Sequence, residues 1–438
     1  MKKIYYITAV FATLFLVGCG DGIDLPGVNV ETDLNKIPLP DNNVNLEQVE
    51  LKPSTEPMLH EGLHTEEDFQ RIRDKKAAGE EPWISAYQLL VESQFSQKTA
   101  DTYPTEWIKR GVSGDENYMN AARGATIAYQ QALRWKIEQD DEYAAKAVEN
   151  LNKWVQTCVG VTGNTNLSLA AGLYGYEFAI AGELLRDYGG WDRADFAAFQ
   201  NWLLKVFYPA NDDFLKRHHD TNALHYWANW CLCNIAAKMA IGIVTDRRDI
   251  YNEGIAHLQT GDTNGRLRRA IYHDYAPDYN FAQWQESGRD QGHTLMCVGL
   301  MGIICQLAWS QGDDFFAYDD NLFLRACEYA ACCNYTNETV PYTTYIWQKQ
   351  SQWGYPIPEE QTTLGGGKWI KRAIWALPYY HYKGIKNISD DNLKYTKIAT
   401  EYVGIEGGGY YDANSGGYDV LGLCLLYTSD AADDGESV

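Results

Sequence analysis

The stretch YMNAARGATIAYQQALRWKIEQ (118–139), followed at once by EYAAKAVENLNKWVQT (142–157), decides the architecture. The first run is alanine-rich and apolar over a wide arc, while the second keeps its charges on one face. A helix that is apolar on most sides is buried on most sides, and an amphipathic partner covers it from water. The pair therefore reads as a helical hairpin with an inner and an outer member. The same alternation recurs in 168–187 with 192–207, in 221–244 with 248–259, and in 288–311 with 319–334. Further helices are expected over 65–75, 81–95 and 368–381. No short period repeats along the chain, which argues against a regular solenoid. The prediction is an all-α fold, an α/α toroid of six or seven helical hairpins. In such a ring the connecting segments gather at one end, so 208–225, 260–290 and 335–367 are expected to build a cleft.

The ends of the chain read differently. Lys2 and Lys3 precede an apolar run from Ile4 to Val17 that closes on Leu16-Val17-Gly18-Cys19, the pattern of a lipoprotein signal peptide over 1–18. Cys19 is then the lipidated residue, 19–56 a flexible tether, and 57–423 the folded domain, exported and anchored at a periplasmic, outer-membrane or cell-surface site. Residues 424–438, beginning Cys424-Leu425-Leu426-Tyr427-Thr428-Ser429, resemble an in-frame translation of a sequencing adaptor and are set aside from the fold.

The formal net charge of −22 argues against nucleic acid as a partner, because phosphate binding needs a basic surface. A polyanionic substrate would have to find local positive potential, and Lys216-Arg217-His218-His219, Arg266-Leu267-Arg268-Arg269 and Arg289 are where it is expected. Of ten cysteines, several lie on apolar helical stretches, where a thiol acts as a small hydrophobe. Their spacing gives no zinc pattern, and one or two disulfides remain open in an exported protein. The 31 tyrosines and 14 tryptophans suit a sugar-lined cleft as well as a packed core.

Two polar stretches interrupt the apolar pattern where inner helices begin: 218–230, His218-His219-Asp220-Thr221-Asn222-Ala223-Leu224-His225-Tyr226-Trp227-Ala228-Asn229-Trp230, and 283–294, which includes Gln285, Glu286, Arg289, Asp290 and His293. Gln285, Arg289 and His293 are four apart and would share a helical stripe. Polar groups on a buried stripe cost several kcal/mol unless paired, so such a stripe marks a wet cleft or a site. Glu286 and Asp290 read as partners that hold Arg289 and His293. Trp227, Trp230 and Trp284 read first as packing, with sugar stacking as the other possibility.

The pieces His225-Tyr226-Trp227-Ala228-Asn229-Trp230, Trp284-Gln285-Glu286-Ser287-Gly288-Arg289-Asp290-Gln291-Gly292-His293 and Val340-Pro341-Tyr342-Thr343-Thr344-Tyr345 resemble the alginate lyase superfamily, and most closely its alginate/glucuronan branch, polysaccharide lyase family 38. The opening Gly62-Leu63-His64-Thr65-Glu66-Glu67-Asp68 and Pro82-Trp83 are similar too, so the resemblance spans about 58–423. It implies an α/α barrel and β-elimination of uronic-acid polymers with no metal and no other cofactor. That chemistry needs the substrate carboxylate neutralised, a base to take the C5 proton and an acid to protonate the departing O4. Arg289 is the expected carboxylate or tyrosine partner. In related lyases a histidine beside an asparagine neutralises the carboxylate; here Leu224 precedes His225, which is expected as neutraliser or base, with Asn222 as helper. The base is expected to be a tyrosine, with Tyr226 and Tyr279 as candidates, and His293 is placed with them at the centre. Gln285, Glu286, Trp284, Tyr342 and Tyr345 are expected to line the substrate. The rival readings are an α/α-toroid glycoside hydrolase, which would need two free carboxylates about 5–10 Å apart, and a glycan-binding lipoprotein without catalysis.

Overall fold

The computed structural model describes residues 54–408 and 419–424, so the expected signal peptide, Cys19, the expected tether up to residue 53 and residues 425–438 lie outside the described residues. Its helices are α1 (Glu66–Ala78), α2 (Trp83–Glu92), α3 (Tyr118–Glu138), α4 (Asp141–Thr157), α5 (Asn166–Leu184), α6 (Arg193–Val206), α7 (Tyr208–Arg217), α8 (Ala228–Val244), α9 (Arg248–Thr260), α10 (Gln291–Ser310), α11 (Tyr318–Tyr335), α12 (Ala376–Tyr380) and α13 (Lys394–Val403).

The inner and outer roles follow the composition. Every residue of α5 from Ser168 to Leu184 is buried, and α8 is buried throughout except Trp230. The outer α4 buries Tyr143, Ala144, Ala147, Val148, Leu151 and Trp154, one stripe at helical spacing. The outer helices α4 and α6 start on acidic caps, with the Asp140 side chain accepting the Glu142 N–H and that of Asp192 accepting the Ala194 N–H. The hairpins α3–α4, α5–α6, α8–α9 and α10–α11 lie where the sequence places them, and the architecture is the α/α toroid.

The inner helices run parallel. Asn234 near the start of α8 donates to the Ser168 carbonyl at the start of α5 (3.1 Å), while Arg186 beyond the end of α5 donates to the Val244 carbonyl at the end of α8 (2.9 Å). Glu286, just ahead of α10, accepts the Asn229 N–H at the start of α8 (2.8 Å), so α10 begins at the same level. All three therefore point their N-termini, the positive ends of their dipoles, at one face of the ring. Three two-stranded ribbons edge that face. β1 (Trp107–Arg110) pairs in parallel with β2 (Gly160–Gly163), β3 (Ile271–Asp274) pairs with β4 (Ala282–Trp284), and β5 (Tyr345–Gln350) forms an antiparallel hairpin with β6 (Pro356–Gln361).

Four expectations shift. The segment 208–217 is helical, as Pro209 in the first turn of α7 permits. The inner helix expected over 221–244 starts only at Ala228, because 221–227 is held irregular by contacts with β5. The helix expected over 368–381 is regular only from Ala376. The nine cysteines among the described residues are all buried free thiols, so they act as core atoms rather than cross-links.

Candidate active site

At the face where the inner helices begin, the chain between α7 and α8 takes an unusual path. His218, His219 and Asp220 all have left-handed φ angles, 50°, 54° and 58°, a conformation that costs a non-glycine residue roughly 1–2 kcal/mol. The turn brings the His219 ring to Ser168 at the start of α5 (2.9 Å) and leads into Asn222 and His225.

His225 is clamped by β5. The Gln350 backbone N–H donates to its Nδ1 (2.8 Å), and the Trp347 indole N–H donates to its carbonyl (2.7 Å). Asn222 spends its amide on the Gln348 carbonyl (3.0 Å) and the Gln350 side chain (2.9 Å), and its oxygen accepts the Leu224 N–H (3.0 Å). It orients the clamp and has little capacity left for substrate. Because Nδ1 accepts a hydrogen bond, neutral His225 carries its proton on Nε2, and that N–H has no protein acceptor among the described residues. Burial first, and the Lys349 charge second, lower the His225 pKa and favour this neutral form. The neutral donor exists above the lowered pKa and is lost as pH falls through it. The acid limb of kcat/KM is therefore expected below the ordinary histidine value of about 6.5. Lys349→Ala should move that limb to higher pH, and an unmoved limb would detach it from His225.

Arg289 stands at the start of α10. Its Nη1 donates to Glu286 (3.0 Å), its Nη2 to His293 Nε2 (3.1 Å), and its guanidinium lies 5.2 Å over the Trp227 ring. Each terminal nitrogen retains a second hydrogen for a ligand, and the side chain is 26% exposed. Glu286 is fully buried and also accepts from the Asn229 backbone (2.8 Å) and side chain (2.5 Å). Asp290 is the N-cap of α10, accepting the His293 N–H (2.8 Å), and it holds His293 Nδ1 (2.6 Å). Burial raises the Asp290 pKa, but hydrogen bonds from the His293 ring and backbone outweigh it, so the net value is lowered. The expected stripe is broken at this cap: Gln285 sits in a 3-10 turn ahead of α10, buried, accepting the Ala228 N–H (3.0 Å). Arg289 and His293 do meet.

Arg289 and His225 bracket a tryptophan pair. Trp227 and Trp347 stack at 4.9 Å, and His225 lies parallel to Trp347 at 5.8 Å. Packed against each other and against Arg289 and His225, the two indoles act as a spacer between those side chains. Trp230 packs on Tyr226 and Phe214, and Trp284 is buried with its indole N–H on the Ala326 carbonyl.

The tyrosines separate. Tyr226 packs edge-on against His225 (4.9 Å) and has its pKa raised by burial. Tyr279 is 53% exposed and stacks on Phe281, within a second cluster with Tyr329 and Tyr395, with no contact to His225 or Arg289. Tyr342 donates to the Gln361 carbonyl (2.9 Å), and Tyr345 is buried with its hydroxyl towards Asn264 (3.4 Å).

The basic runs expected to supply positive potential are largely neutralised. Lys216 and Arg217 pair with Asp212 and Asp213, Arg268 pairs with Asp319, and Arg269 bonds the Asp262 carbonyl. A cavity of about 310 Å³ lies at the opposite end of the ring, lined by His60, His64, Lys136 and Glu183 among others, and includes none of the candidate residues.

Against known proteins, the sequence model of the alginate lyase family matches residues 73–338. The chain belongs to the alginate lyase family. Among solved structures it is similar to alginate lyase A1-III complexed with tetrasaccharide, in a histidine-to-alanine variant, at 13% identity and a TM-score of 0.56, covering 85% of this chain and 96% of that one. Alginate lyase A1-III from Sphingomonas species A1 aligns at 11% identity and a TM-score of 0.52, over 84% and 95%. An alginate lyase from Bacteroides ovatus aligns at 13% and 0.51, over 78% and 94%. These likenesses concern the fold. No curated protein matches the chain.

What this family member's sequence did not reveal is the β5–β6 clamp. Gln350 lies 125 positions from His225, and its contribution is a backbone N–H, which no residue type announces.

Proposed function

We propose that the protein is a polysaccharide lyase that cleaves uronic-acid polymers by β-elimination, with alginate as the first substrate to test and glucuronan the second. One observation carries the reading: two donors that lack a protein acceptor among the described residues, His225 Nε2–H and the outer edge of Arg289, stand beside the positive ends of α8 and α10 in a chain of net charge −22. A uronate C5 proton is removable only when the adjacent carboxylate is neutralised, and preorganised donors in a partly dry cleft do this.

In the reaction, Arg289 and His225 hold the carboxylate. The C5–H bond breaks, its electron pair forms the C4=C5 double bond, and the C4–O4 bond breaks as O4 takes a proton. His293, oriented by Asp290 through Nδ1, is assigned the C5 proton. A carboxylate that draws Arg289 Nη2 away frees the His293 Nε2 lone pair for this. Tyr226, kept protonated by its raised pKa, is assigned donation to O4. Tyr279 has no part. Arg289 and the helix termini supply the positive field, so turnover is expected to survive chelation. Export and anchoring through Cys19 would place the enzyme where such polymers are met.

A hydrolase would need Glu286 and Asp290 free, but Glu286 is saturated by Asn229 and Arg289, and Asp290 by α10 and His293. The test is a panel of polyuronates and neutral glucans, with and without chelator. The reading expects unsaturated products from at least one polyuronate at unchanged rate after chelation. Cleavage of neutral glucans alone, or turnover restored only by a divalent ion, would overturn it.

A further inference from the structure

The mechanism leaves one cation of this face unused. Arg110 ends β1, is half-buried, and among the described residues donates to no carboxylate; its partner is the Tyr174 hydroxyl, 3.5 Å from Nη1. The guanidinium lies 4.6 Å over the Tyr118 ring, and Tyr118 stacks on Tyr174 at 6.4 Å and 12°. Glu116, close in sequence, instead accepts the Gly111 N–H (3.0 Å). Tyr174 is 2% exposed and comes from the inner face of α5, so a buried hydroxyl and a half-buried guanidinium meet between the starts of α3 and α5.

The backbone is built to hold this pair. Arg110 lies opposite Gly163 in the parallel ribbon, and a Cβ at Gly163 (φ 146°) would come 1.8 Å from the Arg110 carbonyl oxygen. At Gly111 (φ 81°) a Cβ would strike the Asn164 side chain at 1.9 Å, and that side chain accepts the Asn166 N–H (2.9 Å) in the first turn of α5. Both glycines are required for β1 to press on the head of α5. That head also touches the candidate centre, since Ser168 bonds His219, whose ring packs 5.6 Å from that of Tyr226. The floor therefore continues from His225 past Tyr226 to Arg110.

An arginine without an acid, in a chain with such an excess of acids, is a site for an anion from outside. We propose that Arg110, Tyr118 and Tyr174 form a second carboxylate subsite, which grips a uronate of the same polymer at a distance from the bond being cut. The guanidinium holds the carboxylate, while the Tyr118 ring and the buried Tyr174 hydroxyl fix its position. The proposal rests on the polyuronate reading of the centre, and it makes the enzyme prefer chains long enough to reach both sites.

The experiment compares wild type, Arg110→Gln and Arg110→Lys on a polyuronate and on the shortest oligomer that wild type cleaves. Losing a charged hydrogen bond predicts KM for the polymer up by about tenfold in Arg110→Gln, with kcat within about twofold and the oligomer unaffected. Arg110→Lys should be intermediate, since it keeps charge without the fork. Equal KM on the polymer, or the same increase on polymer and oligomer, would overturn the subsite. Affinity electrophoresis through gels containing the polymer reads binding without turnover. Retardation lost in Arg110→Gln would support the subsite even if wild type cut nothing, whereas equal retardation would refute it.

Discussion

Arg289→Ala is expected to lower kcat by at least about 100-fold, the scale of losing one strong transition-state hydrogen bond or more. The guanidinium is positioned by Glu286, His293 and the face of Trp227, which leaves only its outer edge for the substrate carboxylate. Arg289→Lys should not restore turnover, because an ammonium keeps the charge but cannot span two partners and still present two donors. The complication is Glu286, fully buried, which would lose its cation; breaking a buried pair costs about 3–5 kcal/mol. Glu286→Gln added to Arg289→Ala removes that stranded charge. The double variant should recover most of the melting temperature and none of the activity. Near-normal turnover in Arg289→Ala would remove the residue from the site, and a double variant that regains activity would reduce its role to holding the fold.

His225→Ala is expected to cost a similar factor, about 100- to 1000-fold in kcat, because the Nε2–H donor to the carboxylate disappears. The same change strands the Gln350 N–H, worth about 1–3 kcal/mol, so some loss of stability accompanies it. Gln350→Pro separates the two effects. It leaves the imidazole but removes both the N–H that fixes its tautomer and the side chain that accepts from Asn222, so Gln350→Ala, which loses only the side chain, is its control; relative to that control kcat should fall while nitrogen chemical shifts of His225 report a mixture of tautomers. A Gln350→Pro protein with unchanged kcat and a mixed tautomer would show that the clamp serves the fold alone.

Much of the fold was legible because burial is written into composition. Segments such as 168–184 are apolar on every side and 142–157 on one, and that contrast alone assigns inner and outer helices. What failed were boundaries set by tertiary contacts. The start of α8 moved from 221 to 228 because β5, more than a hundred residues later, holds Asn222 and His225 in an irregular path. The stripe of Gln285, Arg289 and His293 broke because Asp290 is a better helix cap than a helix interior residue, a preference visible in its residue type. The basic runs misled for a different reason. Lys216 and Arg217 have acids four residues earlier on α7, and at helical spacing those acids cancel them. Arg110 also has an acid four residues earlier, Glu106, but in an extended strand that spacing does not bring the two together, and Arg110 pairs with no carboxylate among the described residues. The tyrosines were undecidable in sequence because their roles turn on where a hydroxyl points, as the contrast between buried Tyr226 and exposed Tyr279 makes plain.

The central claim is that this centre eliminates rather than hydrolyses, and one measurement bears on it directly. Residues 20–423 are incubated with alginate and with glucuronan, and ultraviolet absorbance of the conjugated C4=C5 double bond is followed in the same sample as new reducing ends. The account predicts one unsaturated end for each reducing end formed, in wild type and not in Arg289→Ala. Reducing ends that accumulate without the chromophore would contradict it.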